Sequence, residues 1–269
     1  MGAPLAPLMD KRTLARNFSG AAGSYDRWAT AQGQIARSLV LWLPTDFEPA
    51  SIVDLGCGTG LLSGALLARF PRSSLTGIDL AEGMVAHCRE RWPKGGRARF
   101  VIADAEQAGS LLREVDLVAS SCALQWFIEP AATLALWAGA LRPGGFLAVA
   151  TLGSGSFAEL DAAHREALGA PLPGLRLPDA PALEALVREA GLRPASLEPE
   201  CITIRHADAR AALRSFHQTG ALLSSFPGRA PLGLSDMRRL IAAYDRLRDE
   251  SGAVPMTYRS LHLLAQARP

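Results

Sequence analysis

The 269-residue chain has few cysteines, almost no lysine and no long apolar run, and each scarcity excludes a class of protein. No segment approaches 18 uncharged apolar residues, so the sequence predicts no transmembrane helix and no membrane partner. The four cysteines form no Cys-x-x-Cys pair, which predicts free thiols in a reducing cytoplasm and neither zinc nor another bound metal. The start of the chain has no basic segment followed by an apolar one, so we expect no secretion signal.

Charge and composition narrow the possibilities further. The net charge is only +2, and the 28 basic residues include just two lysines, Lys11 and Lys94. The basic residues form no run, so the sequence does not indicate nucleic acid as a partner. Hydrophobic residues make up 49% of the chain, enough for a sizeable core. We therefore expect one domain over residues 1–269 that acts in the cytoplasm.

Apolar runs typical of buried parallel strands alternate with helical patterns between residues 50 and 152. The predicted strands lie in ASIVDLG, SLTGIDL, ARFVIADAE, EVDLVASSC and FLAVATL, and RPGG is predicted to turn the chain before the fifth. The intervening helices are predicted to stop before Pro71 and at Pro93. Such alternation predicts an α/β fold with a doubly wound sheet and right-handed crossovers.

The flanks of this region show a different pattern. Residues 10–43 predict an N-terminal helical cap, including a long helix from about Ser24 to Leu43. After Leu152 the pattern gives two amphipathic helices, a sixth strand in SLEPECITIRHA and a last strand in MTYRSLHLLAQAR. Residues 207–255 are predicted to be mainly helical and lie between these two strands, so we interpret them as a lid insertion.

The stretch VDLGCGTG places Gly56, Gly58 and Gly60 at alternate positions after the first predicted strand, with Asp54 ahead of them. Glycines allow tight backbone angles and close approach of a ligand. A dinucleotide site has the longer G-x-G-x-x-G spacing, and its pyrophosphate disfavours a carboxylate at position 54. A cationic or zwitterionic ligand is favoured instead. S-Adenosylmethionine carries an ammonium group and a sulfonium, and we expect Asp54 to orient the ammonium, either directly or through water and backbone.

Two further strand ends carry carboxylates in the order that this ligand requires. Asp79 ends the second predicted strand and is expected to accept hydrogen bonds from both ribose hydroxyls. Asp104 ends the third and is expected to accept from the adenine amino group, with Met84 and Ala105 on the two faces of the ring. The predicted cofactor-binding residues are Asp54, Gly56, Gly58, Gly60, Asp79, Leu80, Met84, Asp104, Ala105 and Cys122.

These glycines, the ordered acidic strand ends and LRPGG together resemble the class I S-adenosylmethionine-dependent methyltransferases over residues 50–152. The resemblance implies a Rossmann-like sheet of seven strands whose last strand is antiparallel. It also implies that residues 50–152 form the S-adenosylmethionine-binding core. A Rossmann-like domain with a merely tight glycine turn is the alternative.

Three flanking stretches and the element ALQW resemble the malonyl-acyl-carrier-protein O-methyltransferases of biotin synthesis. NFSGAAGSYDRWATAQ is similar to the family's opening F-x-R-A-A-x-x-Y-x-x-x-A-x-x-Q, and ALQW at 123–126 matches its Q-W element. ITIRHADARAALRSFHQTGA is similar to its sixth strand and a helix ending in K-x-x-G-A, and PMTYRSLHLLA to its closing P-x-T-Y segment. Two positions depart from the family pattern, because Gly20 replaces an arginine and His217 a lysine.

The resemblance implies that the acceptor is the free carboxylate of a malonyl thioester on an acidic acyl carrier protein. This acid is ionised at neutral pH, so no base is needed, and no catalytic set is predicted beyond the candidate Tyr25. The expected substrate-side residues are Phe18, Tyr25, Gln125, Trp126, Arg214 and His217. Residues 207–255 hold seven arginines against five acidic residues, which suggests a docking face for the carrier.

Two alternatives stay open at this point. Methyltransferases of free small acids such as trans-aconitate share the L-Q-W element, so a small acid or natural product is the second candidate acceptor. A protein of the same fold that binds the cofactor without turnover is the third possibility, although the intact glycine stretch and Asp79 argue against it.

Overall fold

A computed structural model describes residues 10–174, 177–219 and 232–267. Seven strands form one sheet in the order β3-β2-β1-β4-β5-β7-β6. All neighbours pair in parallel except β7, which runs antiparallel to both β5 and β6. The predicted fold class is confirmed, including the antiparallel last strand. The strands are β1 Ser51–Leu55, β2 Ser74–Asp79, β3 Ala98–Ile102, β4 Val115–Ser121, β5 Leu141–Leu152, β6 Arg193–His206 and β7 Val254–Gln266.

The helices begin and end where local chemistry directs them. The side chain of Asp208 caps α9 by accepting from the backbone N–H of Ala211, and Asp179 caps α8 in the same way. Pro130 occupies the first turn of α6, where its missing N–H costs nothing. The helices are α1 Lys11–Ala21, α2 Tyr25–Trp28, α3 Thr30–Leu41, α4 Leu61–Arg69, α5 Glu82–Arg91, α6 Pro130–Ala138, α7 Ala158–Leu168, α8 Ala180–Glu189, α9 Ala209–Gln218 and α10 Leu234–Asp245. Short 3₁₀ helices span Ala105–Leu111 and Leu124–Trp126.

Two local predictions are wrong. The helix expected from about Ser24 to Leu43 is broken at Ala29, whose ψ of 41° leaves the helical region and separates α2 from α3. The RPGG segment does not precede β5 but lies within it. There Gly144 has φ 76° and the pairing with β4 shifts register, so the chain bulges without leaving the sheet.

Both faces of the sheet are buried, which explains the continuous apolar runs of its strands. Neighbouring residues Ile52 and Val53 of β1 contact different core clusters, as the two-residue period of a strand requires. One cluster includes α3, α4 and α10, and the other includes α6 and α8. The sheet therefore holds its strand ends rigidly, and ligand sites built on those ends inherit that rigidity.

The segment between β6 and β7 runs from residue 207 to residue 253 and contains α9 and α10. The lid insertion predicted over residues 207–255 falls on this segment and stays a prediction, and residues 220–231 lie outside the described part of the chain. In the described ranges, every helix is too short or too polar to cross a lipid bilayer.

Candidate active site

The loop between β1 and α4 bends through three glycines with positive φ: 71° at Gly56, 54° at Gly58 and 87° at Gly60. A Cβ on Gly56 would lie 2.4 Å from the Cβ of Ala123, and one on Gly60 would lie 2.6 Å from the Trp92 ring. A Cβ on Gly58 would have no neighbour within 4 Å. Gly58 therefore faces open space, whereas Gly56 and Gly60 are required by packing as well as by backbone angle.

A cavity of about 120 Å³, the cofactor cavity, lies at the carboxyl ends of β1 to β4. This is where ligands bind in doubly wound sheets, since the strand ends point their loops to one edge. Eight of the ten predicted cofactor-binding residues line it: Gly56, Gly58, Asp79, Leu80, Met84, Asp104, Ala105 and Cys122. Asp54 and Gly60 lie behind the wall rather than on it.

Asp54 is fully buried beneath the glycine loop. Its Oδ2 accepts a hydrogen bond of 2.6 Å from Ser63 Oγ, while its Oδ1 is buried with no hydrogen-bond partner among the described residues. Burial raises the pKa of Asp54 to about 7, against the Ser63 hydrogen bond, which lowers it. A nearby cation stabilises a buried carboxylate with one uncompensated oxygen. Because Asp54 lies behind the cavity wall, it would orient the ammonium of the predicted cofactor through water or the glycine-loop backbone.

Asp79 connects the end of β2 to the glycine loop. Its Oδ2 accepts from the backbone N–H of Gly58 and its Oδ1 from that of Ala81, both at 2.8 Å. Burial raises the pKa of Asp79, and the backbone hydrogen bonds from Ala81 and Gly58 partly offset that rise. Each oxygen keeps a second acceptor site, so the carboxylate is suited to a pair of ribose hydroxyls.

Lys11 is a lining residue of the cofactor cavity that the sequence analysis does not identify. Its Nζ lies 2.5 Å from Asp104 Oδ2 and also contacts the Glu106 carboxylate. Asp104 Oδ1 accepts from the Glu106 backbone N–H at 3.0 Å. The only sequence signal was the rarity of lysine in an arginine-rich chain, because contact across 93 residues is a tertiary fact.

The N-terminal cap forms the roof of this cavity. Besides Lys11, further polar contacts hold the cap in place. Among them, Thr59 Oγ1 donates to Asp26 at 2.5 Å, and the Gly83 backbone N–H donates to Ser19 Oγ at 3.1 Å. These contacts join the cap to the glycine loop and to the start of α5. The roof residues are Lys11, Leu14, Ala15, Phe18, Tyr25, Gln32 and Ala36.

A second cavity of about 510 Å³, the acceptor cavity, adjoins the first. It lies among the end of β5, α7, α9 and the start of β7. The two cavities share five residues, the shared wall: Phe18, Tyr25, Gln32, Cys122 and Trp126. The Phe18 ring packs edge-on against Trp126 at 5.5 Å and against Tyr25 at 6.5 Å. The predicted residues Phe18, Tyr25 and Trp126 are thus brought together where the two cavities meet.

Gln125 lines only the acceptor cavity. Its Nε2 donates to the carbonyl of Cys122 at 2.9 Å, and its Oε1 accepts from Thr151 Oγ1 at 3.0 Å. The side chain therefore ties the loop after β4 to the end of β5, so a structural role accompanies the predicted contact with substrate.

Arg214 and His217 line neither cavity, and both side chains are exposed on α9. The helical repeat explains this placement, because Phe216 and Thr219 turn toward the acceptor cavity and residues 214 and 217 turn away. Neither residue is placed to touch an acceptor inside the cavity. The glycine–alanine pair at 220–221, which completes the sequence motif, lies outside the described residues.

The shared wall offers no ionised base near neutral pH. Desolvation raises the pKa of the Cys122 thiol to about 12, and desolvation likewise raises the pKa of the Tyr25 phenol. Both groups stay protonated, so Cys122 is not a thiolate nucleophile. Among the described residues, the wall suits an acceptor that arrives already ionised.

Comparison with known sequences places this site in context. A family model described as a methyltransferase domain matches residues 52–145. The chain is 34% identical to the malonyl-[acyl-carrier protein] O-methyltransferase of Laribacter hongkongensis, over 94% of this chain and 88% of that protein. It is 31% identical to the malonyl-[acyl-carrier protein] O-methyltransferase of Geobacter sulfurreducens, over 93% of this chain and 97% of that protein.

Solved structures share the fold. The YcgJ protein of Bacillus subtilis matches with a TM-score of 0.61 at 12% identity, covering 87% of this chain and 98% of that chain. An N-methyltransferase of Haemonchus contortus, solved with S-adenosylhomocysteine, matches with a TM-score of 0.51 at 18% identity, covering 88% of this chain and 52% of that chain. At such identities the likeness concerns architecture alone.

Proposed function

The chain belongs to the malonyl-[acyl-carrier protein] O-methyltransferase family, and from this premise we propose that it esterifies the free carboxylate of a malonyl thioester on an acyl carrier protein. S-Adenosylmethionine is its methyl donor and supplies, when bound, an electrophilic methyl group on a sulfonium. By the same proposal the enzyme acts in the cytoplasm, early in biotin synthesis, together with its carrier protein.

The absence of an ionised base on the described shared wall is the observation that carries this proposal. Methylation of a hydroxyl or an ammonium group requires removal of a proton, and Tyr25 and Cys122 stay protonated. A carboxylate is ionised at neutral pH and presents its oxygen lone pair directly. The chain then needs only to hold the acceptor in line with the methyl group.

The residues present divide this task. We assign Asp79 and Asp104, which line the cofactor cavity, to the ribose and the adenine of the donor. Asp54, buried behind the glycine loop, is assigned to the ammonium through water or backbone. Phe18, Tyr25 and Trp126 close the junction of the cavities, exclude water and orient the acceptor oxygen. Holding two reactants in near-attack geometry is worth on the order of 7–11 kcal/mol when fully realised.

The exposed face of α9 supports the carrier protein as partner. Arg210, Arg214 and His217 follow at i, i+4 and i+7, so they form one basic stripe along the helix. Within the described part of the chain, neither arginine has an ion-pair partner. Phe216 on the same helix lines the acceptor cavity, so the stripe lies beside the route that a tethered acceptor would take. Acidic carrier proteins complement such a stripe.

The reaction is tested by intact-mass spectrometry with S-adenosylmethionine and malonyl-acyl carrier protein, with malonyl-coenzyme A and trans-aconitate in parallel. We expect one methyl group on the malonyl carrier, removed by mild ester hydrolysis. Turnover on trans-aconitate without turnover on the carrier would instead favour a methyltransferase of small acids. Cofactor binding without turnover on any acceptor would favour a silent module.

The docking stripe is tested by R210E/R214E, with R188E on α8 as the matched exposed arginine. We expect the double variant to raise KM for malonyl-acyl carrier protein and to leave KM for a small malonyl thioester unchanged. The same comparison with R238E/R239E asks whether α10, which exposes both arginines, extends the stripe. An equal effect on both substrates would contradict docking at α9.

A further inference from the structure

The acceptor cavity carries little charge. Of the described residues that line it, only Asp161 and Arg165 are charged, and both belong to α7. The remaining wall is mostly apolar, with Leu152, Phe157 and Leu172 among its members. Among these described residues, Arg165 is therefore the single cation that an anionic group on a bound acceptor could meet.

One face of α7 forms a side of this cavity. Its lining residues follow the i, i+3, i+4, i+7 pattern of a helix face: Ala158, Asp161, Ala162 and Arg165. At 1.5 Å per residue, Arg165 lies about 10 Å along the helix from Ala158. No residue of α7 lines the cofactor cavity, and the Arg165 side chain is 58% exposed. Arg165 therefore lies on an exposed part of the acceptor cavity and is not part of the shared wall.

The guanidinium of Arg165 is held through one nitrogen, which leaves its other N–H donors available. Its Nε donates to Asp161 Oδ2 at 2.7 Å, and Asp161 Oδ1 accepts from the Leu172 backbone N–H at 2.6 Å. For its two terminal nitrogens, the described residues provide no hydrogen-bond acceptor. A guanidinium fixed through one nitrogen presents the other N–H groups as a fork, which matches the oxygens of a phosphate or carboxylate.

We infer that Arg165 binds the phosphate of the pantetheine arm through which a carrier protein presents its malonyl group. The carboxylate to be methylated must reach the shared wall, where Arg165 does not lie, so the anion at Arg165 is a different one. In a malonyl thioester on a carrier, the other anion of the arm is the phosphodiester at its far end. The inference rests on the proposed function and names a specificity-determining residue for it.

The test compares R165Q with R188Q. Arg188 makes the same kind of i, i+4 ion pair, to Glu184 at 2.6 Å on α8, with a similar exposure of 62%, and it lines neither cavity. Ligands are malonyl-phosphopantetheine and malonyl-pantetheine, which differ only in the phosphate. Binding to the S-adenosylhomocysteine complex is measured by calorimetry, and KM is measured with malonyl-acyl carrier protein.

We expect R165Q to weaken binding of the phosphorylated thioester about tenfold and to raise KM for the carrier similarly, with kcat unchanged. Binding of malonyl-pantetheine should not change, and R188Q should match the wild type throughout.

Equal loss for both small thioesters, or an unchanged KM for the carrier, would overturn the assignment. If neither small thioester binds measurably, the carrier KM alone decides. A wild type that does not methylate the carrier would refute the proposed function, whereas an active wild type with an indifferent R165Q refutes only this inference.

Discussion

The cofactor cavity and the acceptor cavity share a wall but are built on opposite principles. The first holds about 120 Å³ and is lined by Lys11 and three carboxylates, those of Asp79, Asp104 and Glu106. The second holds about 510 Å³ and is mostly apolar, with one ion pair on an exposed part of it. The first is suited to a ligand of defined polarity held at strand ends, and the second, under the proposed function, would receive the end of a longer molecule.

This difference teaches how specificity is divided in the fold. Carboxylates at parallel strand ends are held by backbone hydrogen bonds, as Asp79 is by Gly58 and Ala81, so they recognise one ligand with little adjustment. The acceptor cavity is formed largely by α7, α9, the N-terminal cap and loops, with only the end of β5 and the start of β7 contributed by the sheet. Of these elements, α7 and α9 are free to differ between relatives without disturbing the cofactor site.

The largest effect on one cavity alone is expected from Asp79→Ala, which should impair cofactor binding. If Asp79 accepts from both ribose hydroxyls as we propose, losing these two charge-assisted hydrogen bonds should weaken S-adenosylhomocysteine binding at least about 100-fold. Asp116→Ala is the matched control, because that carboxylate also accepts two backbone N–H bonds, from Ala50 and Ser51, but at the amino end of β4, away from the cofactor cavity. Calorimetry should show near-normal binding in the control. Equal weakening in both variants would mean that general destabilisation is the cause.

The opposite pattern, impaired acceptor binding with normal cofactor binding, is expected from a substitution in the acceptor cavity. Ala162 is exposed to that cavity on α7, so Ala162→Phe fills the space without disturbing the core. Overpacking of about 2 kcal/mol would raise KM for the malonyl carrier about 30-fold and leave S-adenosylhomocysteine affinity unchanged. Ala182→Phe on α8 would test a surface substitution of the same size. Loss of cofactor affinity in Ala162→Phe would show that the cavities are not separable.

The pH dependence of cofactor binding sharpens the comparison, since it should originate at Asp54, behind the glycine loop of the cofactor cavity, and not in the acceptor cavity. With a pKa of about 7, Asp54 is largely protonated at pH 6 and largely ionised at pH 8. An ammonium-bearing ligand prefers the ionised form, so S-adenosylhomocysteine affinity should fall about tenfold from pH 8 to pH 6. Asp54→Asn should bind more weakly and lose this slope. A wild-type affinity that stays flat over this range would contradict the assignment of Asp54.

The smallest expected loss of cofactor affinity comes from a substitution in the roof of the cofactor cavity. Lys11→Met removes the partly buried contacts to Asp104 and Glu106 that hold the cap over the cofactor cavity. We expect about a fivefold loss of S-adenosylhomocysteine affinity and a faster dissociation rate in stopped-flow displacement. The control is Lys94→Met, the exposed second lysine of the chain. Equal affinities and dissociation rates in the two variants would contradict the role of Lys11 in holding the cap over the cofactor cavity.

The sequence by itself determined the alternation of strands and helices and most of the cofactor cavity. Buried strands require apolar runs, and a ligand at strand ends requires glycines and carboxylates at fixed local positions, so Gly58, Asp79 and Asp104 are identifiable without a fold. The antiparallel last strand came from family resemblance, because periodicity does not encode strand direction. The break of the cap helix at Ala29 left no such signal.

Only the tertiary structure decided which side chains face a ligand and which face the core. Gly60 has the same spacing as Gly58 but packs against Trp92, and Arg214 lies in the right motif but on the outer face of α9. Lys11 and Arg165 acquire their roles from partners or cavities assembled by distant segments. Local pattern records what a backbone can adopt, whereas the direction in which a side chain points depends on packing between elements far apart in the chain.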